Sequence, residues 1–187
     1  VLDLPGHGNS SHVRADPRRT ADMLATLGDD TTYVGYSLGG RMCLHLAVMY
    51  PHVVRSLLVI GANPGIADAD ERALRREADD ALVDRLYEGG VEQFLRDWIA
   101  QPLFGGLQVS EADFADRMRN TVDGLASSLQ MAGTGAQGSL WPRLMELNMP
   151  VLAAAGELDT KFAAIAVQIA KACPIGSYEL IPGAAHA

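Results

Sequence analysis

The sequence has few cysteines and lacks any long apolar run. Only Cys43 and Cys173 occur among its 187 residues, too few for a disulfide framework or a thiolate metal cluster. This cysteine usage is typical of the reducing cytoplasm, so we expect that localisation. No apolar run approaches the ~18 residues of a membrane span, so we expect no association with a membrane.

Positive charge and metal-binding patterns are also scarce. Lys and Arg number 15 against 23 Asp and Glu, a net charge of −8, which disfavours nucleic acid as a partner. None of the 5 histidines forms an H-x-x-x-H pair, so we expect no metal. What remains is a globular composition, with 48% hydrophobic and 20% charged residues.

Short apolar segments alternate with helical segments along most of the chain. The predicted strands are 1–4, 31–36, 56–60, 150–155 and 177–181, and the predicted helices between them include 38–50 and 162–173. Asp16 followed by Pro17 indicates the start of a further helix, for which Gly28 is a plausible end. This alternation favours an α/β fold with a mostly parallel sheet covered by helices on both faces.

The middle of the chain departs from that alternation. From Ala69 to Leu147 the sequence has helical signals and no convincing strand, and Ser110 with Asp113 resembles a capping box. We interpret 67–147 as a helical insertion that acts as a lid, and 1–66 with 148–187 as a partial core.

The segment Gly35-Tyr36-Ser37-Leu38-Gly39 has the pattern G-x-S-x-G between a predicted strand and a predicted helix. A nucleophile on such a sharp turn needs small neighbours because the backbone is crowded. Ser37 then lies at a helix N-terminus, where the N–H of Leu38 is a candidate oxyanion donor. The alternative is a glycine-rich turn with a solvated serine.

A serine nucleophile needs a base and a group that orients the base. Asp159 and His186 each follow a predicted strand, as Ser37 does, and the order Ser, Asp, His is that of α/β-hydrolases. Glu157 is a competing acid, Asp159 is also a candidate helix N-cap, and His186 could be an ordinary loop histidine.

Several arginines suggest a carboxylate-bearing substrate. Arg41 lies one helical turn after Ser37, and Arg75, Trp98 and Arg119 lie in the insertion. Guanidinium groups pair with carboxylates in a bidentate manner. The alternatives are solvated or ion-paired surface arginines and a packing role for Trp98.

These motifs together resemble one family. The segments that carry the resemblance are Leu2–Gly8 followed by Ser10, Gly35–Arg41, Pro64–Ile66, Glu71–Arg75, Asp97–Trp98, Gln101–Phe104, Arg119–Asn120 before Leu125–Ala126, Gly156–Asp159 with Lys161–Phe162, and Gly183–His186. They resemble the α/β-hydrolase-fold enzyme of menaquinone biosynthesis, 2-succinyl-6-hydroxy-2,4-cyclohexadiene-1-carboxylate (SHCHC) synthase. One departure is Ala185, where that family usually has glycine.

The resemblance implies a lyase that removes pyruvate from 2-succinyl-5-enolpyruvyl-6-hydroxy-3-cyclohexene-1-carboxylate without a cofactor. By similarity, Ser37 is the base, His186 activates it and Asp159 orients His186. The resemblance also implies a small polycarboxylate substrate, whose carboxylates bind the guanidinium groups and whose pocket two aromatic residues shape. The residues implied are Arg41, Arg75 and Arg119 for the carboxylates, and Tyr36 and Trp98 for the pocket.

Two other functions stay open on the sequence. A serine hydrolase acting on a small ester or a carbon–carbon bond would use the same triad, and a non-catalytic member would keep only the fold. The chain starts as if inside a strand, so we also expect a piece truncated at both ends, lacking at least about 50 N-terminal residues, and a poor catalyst by itself. The oligomeric state stays open.

Overall fold

A computed structural model describes residues 1–105 and 107–186. The chain divides into two compact units, one made of Val1–Asp16 and Asp68–Gln137, the other of Pro17–Ala67 and Gly138–Ala187. Residues 1–16 thus group with the helical segment, whereas the sequence-based division assigns them to the core. Residues 138–147 group with the sheet. The lid role of the insertion stays a prediction.

The described residues form ten regular elements besides short 3-10 turns. In chain order they are α1 (Pro17–Ala25), β1 (Thr31–Tyr36), α2 (Leu38–Met49), β2 (Val54–Ile60), α3 (Ala69–Ile99), α4 (Glu111–Arg117), α5 (Val122–Ala132), β3 (Val151–Gly156), α6 (Thr160–Ala172) and β4 (Gly176–Ile181). The strands and helices predicted from residue 17 onward are confirmed, with ends that shift by a few residues.

The four strands form one parallel sheet in the order β1-β2-β3-β4. Each pair of neighbouring strands is joined through at least one helix, as a parallel connection requires. The carboxyl ends of the strands therefore lie along one edge of the sheet. Apolar side chains of α2 and the two central strands fill the core, and those that are almost fully enclosed include Met42, Leu44, Leu46, Leu57, Val59 and Val151.

The strand predicted at residues 1–4 is wrong. These residues form no strand, and Val1 and Leu2 are exposed. The Asp3 side chain instead accepts a hydrogen bond from the backbone N–H of Asn9 at 2.9 Å, which fastens a turn. An apolar segment becomes a strand only where a neighbouring strand takes up its backbone hydrogen bonds.

The regular elements of the other unit are all helices within its described residues. In α3, the side chain of Asp68 caps the first turn, and a kink at Gly90 divides the helix. The predicted cap at Ser110 is confirmed, because its side chain accepts from the N–H of Asp113. An apolar cluster joins α3 to α5, and its buried members are Val83, Leu86, Phe94, Leu125 and Ala126.

Within residues 1–105 and 107–186, no helix has both the length and the apolar character needed to cross a membrane.

Candidate active site

Ser37 stands between β1 and α2 in a strained backbone conformation. Its φ is 49° and its ψ is −110°, a region that non-glycine residues seldom occupy. Two hydrogen bonds hold it there, because its N–H donates to the carbonyl of Ile60 at 2.8 Å and its carbonyl accepts from the N–H of Arg41 at 3.1 Å. Strain of this kind persists only where surrounding structure enforces it, and it is concentrated at functional sites.

The turn around Ser37 is tight because the first turn of α2 lies directly against the end of β1. A Cβ added to Gly35 would come within 2.5 Å of the carbonyl group of Gly39 and the backbone N of Gly40. A Cβ on Gly39 would meet no atom within 4 Å. Of the two glycines that define the motif, the first is therefore the one that the close approach requires.

Asp159, His186 and Ser37 form a continuous hydrogen-bonded series. His186 Nδ1 lies 2.7 Å from Oδ2 of Asp159, and His186 Nε2 lies 3.4 Å from Oγ of Ser37. The side chains of His186 and Asp159 are only 2% and 4% exposed. With Nδ1–H donated to the carboxylate, Nε2 is the lone-pair nitrogen that faces the serine hydroxyl.

Asp159 makes the contacts that both interpretations require, as a helix cap and as the acid beside the histidine. While Oδ2 faces His186, Oδ1 accepts the backbone N–H of Phe162 at 3.2 Å and so caps α6. The competing acid has another partner, since Oε2 of Glu157 accepts the N–H of Gly183 at 3.1 Å. The geometry therefore selects Asp159 as the acid beside the imidazole.

The loop that carries His186 is fastened to the end of β3. The N–H of Leu158 donates to the carbonyl of Ala184 at 2.9 Å, and the N–H of Glu157 donates to the carbonyl of Ile181 at 3.0 Å. Ala185 replaces the glycine usual in the family without strain. The described non-glycine residues with positive φ are Asp30 and Ser37, so Ala185 has an ordinary backbone conformation.

Sequence reasoning missed two residues that touch the imidazole. A Cβ added to Gly61 would lie 2.8 Å from Cε1 of His186, and the Phe162 ring centroid lies 4.5 Å from that of His186. The ring of Tyr36, which the sequence analysis predicts to shape the pocket, has its centroid 5.5 Å from that of His186. A glycine directly after a buried strand is the one sequence signal that pointed to Gly61.

The guanidinium groups predicted to bind substrate lie in both units. Arg41 is partly buried on α2, one turn after Ser37, in the same unit as the triad. In the helical unit, Arg75 donates to Oδ1 of Asp79 at 2.8 Å, and Asp79 is only 2% exposed. The ion-paired alternative therefore holds for Arg75, and its contact with substrate stays a prediction.

Arg119 and Trp98 also have partners within the helical unit. Arg119 donates to Asp116 at 2.9 Å and to Asn9 at 3.1 Å, and the hydrogen bond to Asp116 raises the pKa of its guanidinium. Trp98 stacks on Phe94 with ring centroids 5.7 Å apart. Their predicted contacts with substrate likewise stay predictions.

In the part of the chain that the structure describes, no three His, Cys, Asp or Glu side chains are grouped so that they could hold a metal ion.

A parallel sheet covered by helices, with a strained serine after one strand and Asp and His after two later strands, defines an α/β-hydrolase-fold protein. The family model described as alpha/beta hydrolase fold matches residues 1–187.

Similarity to known proteins identifies the family within this fold. The chain is 36% identical over 177 residues to the SHCHC synthase of Klebsiella pneumoniae subsp. pneumoniae, covering 90% of this chain and 70% of that protein. It is 35% identical over 196 residues to the SHCHC synthase of Photorhabdus laumondii, covering 100% of this chain and 68% of that protein. The structure of MenH from S. aureus matches with a TM-score of 0.91 and 32% identity, over 99% of this chain and 74% of that one. The chain belongs to the SHCHC synthase family within the α/β-hydrolase fold.

Proposed function

We propose that this protein is an SHCHC synthase of menaquinone biosynthesis. It removes pyruvate from 2-succinyl-5-enolpyruvyl-6-hydroxy-3-cyclohexene-1-carboxylate and leaves the cyclohexadiene. The observation that carries the proposal is the series Asp159–His186–Ser37, set in a chain 36% identical to an SHCHC synthase. The reaction is a carbon–oxygen elimination and needs no cofactor.

The first step is removal of a proton from the ring carbon that bears the succinyl ketone. Ser37 Oγ takes this proton as its own proton passes to Nε2 of His186, and the carboxylate of Asp159 stabilises the imidazolium. The electron pair moves into the ketone to give an enolate. The N–H of Leu38, at the positive end of the α2 dipole, stabilises the enolate oxygen.

The second step breaks the bond between the ring carbon and the enolpyruvyl oxygen. As the enolate collapses, a double bond forms at the deprotonated ring carbon and the existing ring double bond shifts by one position towards the carbon that bears the oxygen. Enolpyruvate departs from that carbon with the electron pair. The proton held by His186 returns to this leaving group, which becomes pyruvate. Atoms and charge balance without water, so the same triad that attacks carbonyls in hydrolases acts here only as a proton relay.

Substrate recognition depends on carboxylates. The product name itself contains a succinyl and a ring carboxylate, and guanidinium groups bind carboxylates with directional hydrogen bonds. We propose that Arg41, Arg75 and Arg119 bind them and that Tyr36 and Trp98 shape the pocket. The support is the chemistry of the side chains and the position of Arg41 one turn from Ser37.

We propose the cytoplasm as the place of action. The support is that Cys43 and Cys173 are buried free thiols, as is usual in a reducing compartment.

Hydrolysis is the competing activity, because the triad also suits attack on an ester. The test compares pyruvate release from the enolpyruvyl substrate with hydrolysis of an aryl ester, using the full-length gene product and its Ser37→Ala variant. We expect pyruvate release that depends on Ser37, with ester turnover slower by orders of magnitude. Ester turnover without pyruvate release would replace the lyase with a serine hydrolase.

A further inference from the structure

We propose that Gly61 and Phe162 are positioning residues, which form a socket that holds the imidazole of His186 between Asp159 and Ser37. The inference rests on the proposed use of the triad, and it extends that function to two residues without reactive groups. All five residues belong to the sheet-containing unit.

Gly61 forms one side of the socket. It follows β2 directly, has a φ of +56°, and donates its N–H to the carbonyl of Ala154 at 2.9 Å, so its backbone is tied to β3. A Cβ there would lie 2.8 Å from Cε1 and 3.2 Å from Nδ1 of His186. The first separation is shorter than real Cβ contacts, and the side of the ring that would be displaced includes the nitrogen bound to Asp159.

Phe162 forms another side and links the ring to the acid. Its ring centroid lies 4.5 Å from that of His186, tilted by 48°. Its backbone N–H binds the Asp159 oxygen that does not face the histidine. Phe162 therefore fixes the carboxylate through its main chain and the imidazole through its side chain, and removing the ring would change only the second contact.

Proton transfer from Ser37 to His186 depends steeply on the distance and angle between the two side chains. The distance from Nε2 of His186 to Oγ of Ser37 is already 3.4 Å, at the long end of hydrogen bonding. A shift of about 1 Å at such a site costs on the order of 100-fold in rate. Steric enclosure of the ring is thus needed to keep the serine activated.

The experiment measures the reactivity of Ser37 with a fluorophosphonate probe, which reports serine activation without requiring the natural substrate. We expect Gly61→Ala to slow labelling roughly 100-fold. We also expect it to shift or broaden the downfield imidazole N–H proton resonance of His186. Gly90→Ala is the matched control, because Gly90 also has positive φ, at +73°, but a Cβ there meets no atom within 4 Å.

Gly90→Ala should lower the melting temperature, because the φ of 73° and ψ of 179° at Gly90 are open almost only to glycine. It should leave the labelling rate within about twofold of wild type. If Gly61→Ala does not fold, Phe162→Ala carries the test, with Val167→Ala as its control on the same helix. Phe162→Ala should slow labelling and broaden the imidazole resonance, and Val167→Ala should do neither.

Wild-type labelling in folded Gly61→Ala and Phe162→Ala would overturn the socket. Equal slowing in the control variants would also overturn it, because the effect would then be one of general stability. Absence of pyruvate release in the wild-type protein would count against the lyase function alone, since probe labelling and the imidazole resonance are independent of the substrate.

Discussion

Asp159 uses its two carboxylate oxygens for two different partners, with Oδ2 2.7 Å from Nδ1 of His186 and Oδ1 accepting the N–H of Phe162. The N-terminus of α6 thereby sets the position of the acid, and the acid sets the tautomer of the histidine. The Asp159 side chain therefore both caps α6 and orients His186.

Replacing Asp159 by asparagine should separate these two duties. The amide oxygen can still cap α6, but the amide NH₂ donates to Nδ1 of His186 and so favours the tautomer in which Nε2 carries the proton. In that tautomer Nε2 cannot accept a proton from Ser37. We expect kcat for pyruvate release to fall by about 10³- to 10⁴-fold. Stability in urea should change by less than about 1 kcal/mol.

Glu157→Gln is the matched control, an acid-to-amide change two residues away. Glu157 accepts a backbone N–H in the histidine loop and not the imidazole that Asp159 contacts among the described residues, so kcat should stay within a few-fold of wild type. A large loss in Glu157→Gln with an active Asp159→Asn variant would make Glu157 the orienting acid.

Arg41→Ala tests the proposed carboxylate contact that lies one helical turn after the nucleophile. Loss of a charge-assisted hydrogen bond should lower kcat/KM for pyruvate release by about 10- to 100-fold. The free energy of unfolding should fall by less than about 1 kcal/mol. Arg55→Ala is the control, because the Arg55 side chain is 67% exposed and pairs with an equally exposed Asp30. Equal kcat/KM values for the two variants would remove Arg41 from the substrate site.

Arg75 needs a double substitution, because its ion pair with Asp79 mixes stability with binding. Arg75→Ala leaves a carboxylate that is 3% exposed without its cationic partner, which should destabilise the fold by about 3 kcal/mol. Adding Asp79→Asn removes the buried charge and keeps an acceptor for the N–H of Gly135, so much of that stability should return.

The KM for the substrate then separates the two roles of Arg75. If it binds a carboxylate, KM should remain raised in the double variant even though urea denaturation shows restored stability. Return of KM to the wild-type value together with stability would assign Arg75 a structural role alone.

Cys43 should make stability depend on alkaline pH. Burial raises the pKa of its thiol from 9.0 to about 11, so the unfolded chain loses this proton first as pH rises. The stabilisation is complete below about pH 9 and is lost as pH approaches about 11, amounting to about 1 kcal/mol between pH 8 and 10.

Urea denaturation of wild type and Cys43→Ala at these two pH values checks this prediction. The difference in unfolding free energy between the two proteins should shrink at the higher pH. The comparison between variants cancels tyrosines that do not interact with the thiol, such as Tyr87, whose pKa the hydrogen bond to Asp123 raises. A pH-independent difference would mean that the thiol is not shielded from water.

Elements whose determinants are local could be predicted well. β1 has the predicted bounds because its residues are β-branched, aromatic and bordered by turns, and α2 ends at Met49 ahead of Pro51. The strand predicted at Val1–Leu4 was wrong because pairing depends on a neighbouring strand, which local hydropathy does not report.

The site divides in the same way. Ser37, Asp159 and His186 could be selected because each carries reactive chemistry and follows a predicted strand. The choice between Asp159 and Glu157 required coordinates, because both follow β3 within three residues and only side-chain direction separates them. Gly61 and Phe162 were missed because they have no reactive group and their contact with His186 joins distant parts of the chain.

Chain order, residue chemistry and hydrophobic periodicity are thus enough to predict the parallel α/β architecture, the strand–serine–helix turn and the serine and histidine of the candidate triad, because each depends on neighbours within one or two elements. Tertiary structure alone decided which carboxylate meets the imidazole, that this carboxylate also caps a helix, and that a bare glycine leaves room for the ring. These outcomes depend on distances of a few ångströms between residues far apart in sequence, which only packing of the whole unit can set.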